Sequence, residues 1–135
     1  MLNTAAREKL FESPEMKAQY AIEYPGYAPD PEAVEKLKSL LQHIKVMIVL
    51  GTWCGDCRRQ VPRLYKILDQ AGFLAEQITL IFVDESKKAA NGLTDHLNID
   101  KVPTFIFTEN EQEIGRITES PLVTLESDII EILTK

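Results

Sequence analysis

Two apolar runs divide the chain, Val46-Met47-Ile48-Val49-Leu50 and Ile78-Thr79-Leu80-Ile81-Phe82-Val83. Both are short and nearly unbroken by polar residues. That pattern predicts strands covered on both faces, the first over Lys45 to Leu50. Around them the spacing turns helical. Val34, Leu37, Leu41 and Ile44 recur every three or four residues, behind an Asp30-Pro31 pair suited to a helix start. Val61, Leu64, Ile67 and Leu68 predict a second helix over Arg58 to Gln70, stopped by Gly72. Ala89 to Leu97 predicts a short helix. Thr104 to Phe107 and Glu113 to Thr118 predict a hairpin across Glu109-Asn110-Glu111-Gln112. Ser120 or Thr124 then opens a last helix, with Leu125, Ile129, Ile132 and Leu133 on one face.

Before residue 31 the signal is weaker. Residues 4–20 mix charges with Leu10, Phe11 and Met16 and predict one or two short helices. Tyr20 to Pro31 holds three prolines, one glycine and three tyrosines, which predicts an irregular arm. Those tyrosines, Tyr20, Tyr24 and Tyr27, can line a groove or cover the core, and their amphipathic rings favour cover. No β run is visible in the first thirty residues, so the strand count is four. The first two strands flank a helix and should be parallel, with a right-handed crossover. The expected architecture is α/β: a central mixed four-stranded β-sheet with helices on both faces. Residues 1–30 form a helical and irregular extension packed on a domain over 31–135.

With 135 residues, 44% of them hydrophobic, the chain suits one compact domain. A net charge of −6 argues against nucleic acid, whose phosphates require clustered Lys and Arg. No apolar run approaches the roughly 18 residues of a membrane helix. Met1 to Lys9 carries no apolar leader segment, so a cytoplasmic protein, monomeric and without nucleic-acid or membrane partners, is expected.

The candidate chemistry lies just after the first strand, in Trp53-Cys54-Gly55-Asp56-Cys57, which holds both cysteines of the chain. A thiolate at the first turn of a helix meets free N–H groups and partial positive charge, which favour it. A second thiol one turn later can attack a mixed disulfide formed by the first. The alternatives are a structural disulfide, disfavoured in a reducing compartment, and a zinc site. Zinc wants about four ligands. The chain adds only His43 and His96, in different predicted elements and without ligand-like spacing, so no metal and no cofactor is expected. Arg58 and Arg59 can raise the local potential or form a solvated helix face, and the second is the ordinary role of such a pair.

The order of elements together with Trp53-Cys54-Gly55-Asp56-Cys57 resembles the thioredoxin family. Pro62 lies where that family bends its active-site helix. Lys101-Val102-Pro103-Thr104 resembles its cis-proline segment, and Glu113 to Ile117 with the helix that follows resembles its last strand and helix. The resemblance spans roughly residues 32–135. It implies a thioredoxin-like fold and a thiol–disulfide oxidoreductase, with Cys54 as attacking and Cys57 as resolving thiol. Trp53, Gly55, Asp56, Val102 and Pro103 would line the substrate groove, Trp53 as an apolar wall. A cis Pro103 would leave the Val102 backbone free to pair with an extended substrate segment. Protein disulfides and an upstream disulfide reductase are the implied partners. The alternative is a binding or redox-regulatory module of the same fold with little turnover.

Three departures from the family pattern stand out. Asp56 replaces the proline commonest between Gly55 and Cys57. Its carboxylate should oppose a thiolate at Cys54, while its place in the first helical turn favours the helix. Ile48 and Leu80 stand where many relatives bury an acid and its lysine partner, so the usual proton acceptor for the resolving thiol is missing. The hairpin turn lacks its expected glycine and is one residue longer, which alters an edge and leaves the chemistry alone.

Overall fold

The computed structural model describes residues 4–5, 7–85 and 97–134. After strand β1 (Thr4–Ala5) and a 3-10 segment (Arg7–Glu12) come helices α1 (Pro14–Gly26) and α2 (Pro31–Leu40). Strand β2 (Ile44–Leu50), helix α3 (Gly55–Gln70) and strand β3 (Ile78–Phe82) follow. The chain then forms β4 (Thr104–Glu109), β5 (Gln112–Thr118) and α4 (Leu125–Leu133). The predicted helix over Ala89 to Leu97 falls, apart from Leu97, outside the described residues.

Strands β3, β2, β4 and β5 form the mixed four-stranded sheet, with β2 parallel to β3 and antiparallel to β4. Successive residues of a strand face opposite sides, so the unbroken burial of Ile48, Val49 and Leu50 means that both faces are covered there. β4 is buried in the same way from Thr104 to Phe107. The helices pack in pairs, α1 against α3 and α2 against α4.

The N-terminal region corrects the sequence reading twice. First, Thr4–Ala5 adds a short antiparallel strand outside β3, giving a five-stranded order β1-β3-β2-β4-β5. Two residues pair through their backbone and are too few to show a period, so no β pattern betrayed them. Second, the expected arm of residues 20–31 is helical as far as Gly26. Pro14 takes the first helical position, where its absent N–H is not needed, and the Ser13 hydroxyl caps the Met16 N–H at 3.2 Å. Pro25 falls in the last turn, so the helix ends soon after it and only the stretch to Asp30 is irregular.

Tyrosines and ion pairs bind this extension to α3. The Arg7 guanidinium grips the Asp69 carboxylate at 2.8 and 2.6 Å and lies 4.0 Å above the Tyr65 ring. The Tyr24 hydroxyl donates to Asp69 at 2.5 Å, and Arg63 meets Glu23 at 3.0 Å. Further along, the Tyr27 hydroxyl and the Asp30 N–H both donate to the buried Glu126 carboxylate in the first turn of α4. Tyr20, Tyr24 and Tyr27 therefore act as amphipathic cover: rings against the core, hydroxyls on polar partners.

Smaller boundaries also move. Ile44 opens β2 and does not extend α2, because the helix stops at Leu40. Gly72, at φ +78°, closes α3 as expected: its N–H reaches the Asp69 carbonyl while the Phe73 N–H reaches that of Leu68. In the hairpin, Asn110 and Glu111 take the left-handed conformation that a two-residue turn demands, without a glycine. The additional residue is absorbed in the β5 strand, where Ile114 bulges between the Thr108–Glu113 and Phe107–Gly115 pairs.

Candidate active site

Parallel strands β2 and β3 end side by side, and the dithiol turn leaves the end of β2. The Cys54 N–H returns to the Gly51 carbonyl at 3.1 Å, which folds Gly51-Thr52-Trp53 into a tight turn. Cys54 is then the N-cap of α3. Its Sγ accepts the Cys57 N–H at 3.4 Å, and its carbonyl accepts the Arg58 N–H. A thiolate on Cys54 would therefore keep this backbone donor, at the positive end of a helix sixteen residues long.

The two thiols occupy different environments. Cys54 is half-buried, whereas Cys57 is fully buried. Burial pushes the Cys57 thiol far above its ordinary value. The Gly51 N–H, which donates to Cys57 Sγ at 3.4 Å, works against that rise, and the proximity of Cys54 and Asp56 adds to it. Both thiols are free of a disulfide.

Segment 101–104 supplies the opposite wall. The Cys54 thiol donates to the Val102 carbonyl at 3.5 Å, and the Val102–Pro103 peptide is cis. The Thr104 hydroxyl donates to the Lys101 carbonyl at 2.6 Å, and the Glu119 N–H donates to that of Pro103 at 2.7 Å, so the segment is held from both sides. Trp53 is 38% exposed and anchors its indole by donating to the Val83 carbonyl at 3.0 Å. Gly55 is exposed at the helix start. Asp56 is turned to solvent and pairs with Arg59 at 3.1 Å, so its charge is partly matched on its own helix face. The structure thus gathers Trp53, Cys54, Gly55, Asp56 and Cys57 with Val102 and Pro103 around one turn.

His43 does not join them. It precedes β2 at the strand's opposite end, and a seven-residue strand spans about 20 Å. His96 lies outside the described residues. Ile48 and Leu80 are both fully buried and lie directly opposite each other in the β2–β3 register. Two positions far apart in sequence are therefore one apolar contact.

Sequence reasoning missed three parts of this site. Gly51 is needed twice: its N–H serves Cys57, and any Cβ there would overlap the Trp53 indole. A lone glycine at a strand end was the available signal for such a close approach. The Val83 carbonyl, the anchor of Trp53, could not be read from side-chain types. The extension also borders the site, where Lys9, Glu12, Ser13 and Glu15 face Thr52 and Phe82 across a cleft of about 350 Å³.

Comparison with known proteins agrees with this fold. The family described as thioredoxin matches residues 7–127. A TPR repeat-containing thioredoxin of Arabidopsis thaliana is 28% identical over 98 residues, 73% of this chain but only 24% of the relative. A thioredoxin of Gallus gallus is 25% identical over 104 residues, covering 77% of this chain and 91% of that one. Among solved structures, a protein of unknown function from Pseudomonas aeruginosa shares the fold at a TM-score of 0.60 and 16% identity, over 96% of this chain and 95% of its own. Both the family match and this structure extend into the N-terminal residues.

Proposed function

We propose that this chain, which belongs to the thioredoxin family, is a thiol–disulfide oxidoreductase that reduces or forms disulfides in proteins. The observation that carries the reading is the inequality of the two thiols. Cys54 is accessible at a helix N-cap, and Cys57 is fully buried one turn behind it.

In the reducing direction, the Cys54 thiolate attacks one sulfur of a substrate disulfide. A Cys54–substrate bond forms, the substrate S–S bond breaks, and the departing thiolate takes a proton. Cys57 then loses its proton and attacks Cys54 Sγ. The Cys54–Cys57 disulfide forms, and the second substrate sulfur leaves as a thiolate that is protonated in turn. Two electrons pass to the substrate. The Val102 backbone and the Trp53 ring would position an extended segment beside Cys54. An upstream disulfide reductase would regenerate the dithiol, in keeping with a cytoplasmic site of action.

A second reading, a binding or regulatory module with little turnover, draws support from Ile48 and Leu80, which put two buried apolar side chains where the family pattern would place an acid and its lysine partner. One experiment separates the two. Cys54→Ser should abolish reduction of a protein disulfide such as insulin, and Cys57→Ser should accumulate a mixed disulfide visible as a mass adduct. In the native reduced protein, Cys54 should be alkylated first. Faster alkylation of Cys57, or no insulin reduction by the native chain, would refute the enzymatic reading.

A further inference from the structure

Among the described residues, Asn98, Asn110, Glu111 and Glu119 take positive φ without being glycine. Asparagine tolerates that region, and Glu111 closes the hairpin. Glu119, at φ +66°, has neither reason. The Ser120 N–H returns to the Thr118 carbonyl at 2.8 Å, so Glu119 is the centre of a three-residue turn of the rare, strained kind. Glycine would take this conformation without steric cost. Strain that persists in another residue points to what the turn and its side chain do.

Both reach the wall opposite the dithiol. The Glu119 N–H donates to the Pro103 carbonyl at 2.7 Å, and the Glu119 carboxylate lies 3.6 Å from Lys101 Nζ. One residue therefore grips the segment on either side of Val102, whose carbonyl receives the Cys54 S–H at 3.5 Å. A glycine would supply the N–H but not the carboxylate. We propose that Glu119 is a positioning residue for protein substrates, holding Val102 where an extended substrate segment pairs with its backbone. This rests on the dithiol-exchange reading above. Once Cys54 has lost its proton and entered the mixed disulfide, the Val102 carbonyl is released to accept a substrate N–H. A segment already fixed by Glu119 has less freedom to lose when it binds. The Lys101 and Glu119 side chains are 58% and 41% exposed, so the contribution of their pair is modest.

The test compares insulin reduction, driven by dithiothreitol, with attack of the reduced full chain on dipyridyl disulfide, a small uncharged reagent that needs no backbone pairing. Lys101→Met and Glu119→Gln each break the pair while changing net charge in opposite senses. Both should raise KM for insulin roughly two- to fivefold, the reach of an exposed ion pair, with kcat and the dipyridyl rate unchanged. The double variant should be no worse than either single one, because both act through one contact. The exchanged pair, Lys101→Glu with Glu119→Lys, should bring KM back to within about twofold of native. Steering of insulin by charge would move the two single variants in opposite directions and overturn the proposal. An unchanged KM in both, additive effects in the double variant, no recovery in the exchanged pair, or equal slowing with dipyridyl disulfide would overturn it too. If the native protein does not reduce insulin, the oxidoreductase reading itself fails.

Discussion

Asp69→Asn tests whether the N-terminal extension is an integral part of the fold. The Asp69 carboxylate accepts two hydrogen bonds from Arg7 and one from Tyr24, the shortest at 2.5 Å. The Arg7 and Asp69 side chains are 33% and 28% exposed, so the pair lies between the buried and the surface regimes. A hydrogen bond to a charged group contributes roughly 1.5–3 kcal/mol when buried. An exposed pair contributes about 0–1 kcal/mol. Three such bonds on one carboxylate are not additive, and the substitution should cost about 2 kcal/mol. For a chain of this size that lowers the thermal midpoint by about 6–10 °C. Burial works to raise the Asp69 carboxyl, but the hydrogen bonds from Arg7 and Tyr24 outweigh it and hold the group below its ordinary 3.8. Its stabilisation is therefore complete above the unfolded value and is lost as pH falls through the folded one. Native and Asp69→Asn proteins should differ fully at pH 7 and converge as pH falls through the folded value, which lies below 3.8. The assay is chemical denaturation across that range, in a double-mutant cycle with Arg7→Met. A coupling below about 0.5 kcal/mol, or a stability gap indifferent to pH, would show that the Arg7–Asp69 pair does not hold the extension.

Gly51→Ala places a methyl group into the Trp53 indole, so the ring must swing out and lose its bond to Val83. The fluorescence of the single tryptophan should shift red, and stability should fall by about 1–3 kcal/mol; an unshifted spectrum would mean the ring is not seated there. Ile48→Asp puts a carboxylate against the fully buried Leu80 and should destabilise by several kcal/mol, whereas Ile48→Asp with Leu80→Lys should recover part of the loss in urea titrations. No recovery would show that the two positions do not communicate. Arg59→Ala frees the Asp56 carboxylate from its 3.1 Å partner, so Asp56→Asn should alter the alkylation rate of Cys54 more in that background than alone. The difference should stay within about fivefold for an exposed pair, and no difference would place Asp56 outside the electrostatics of the site.

The chain's own pattern carried most of the fold. Continuous apolar runs in β2 and β3 specify strands covered on both faces, and helical spacing with Asp30-Pro31, Thr124 and Gly72 marks helix ends, because these signals act within a few residues. The dithiol was equally local, since two cysteines three apart at a strand-to-helix junction need nothing distant to be recognised. What depended on distant partners was decided only in three dimensions. Tyr20 to Gly26 is helical because α3 offers Asp69, Arg63 and Lys66 to a segment whose own prolines argued for a loop. Thr4–Ala5 is a strand because β3 presents an open edge to its backbone. The inequality of Cys54 and Cys57 likewise comes from where α3 lies on the sheet, with its first turn near Val102 and its second side beneath the surface. Sequence spacing sets which atoms can meet along one element, but burial and backbone acceptors from other elements set what those atoms do.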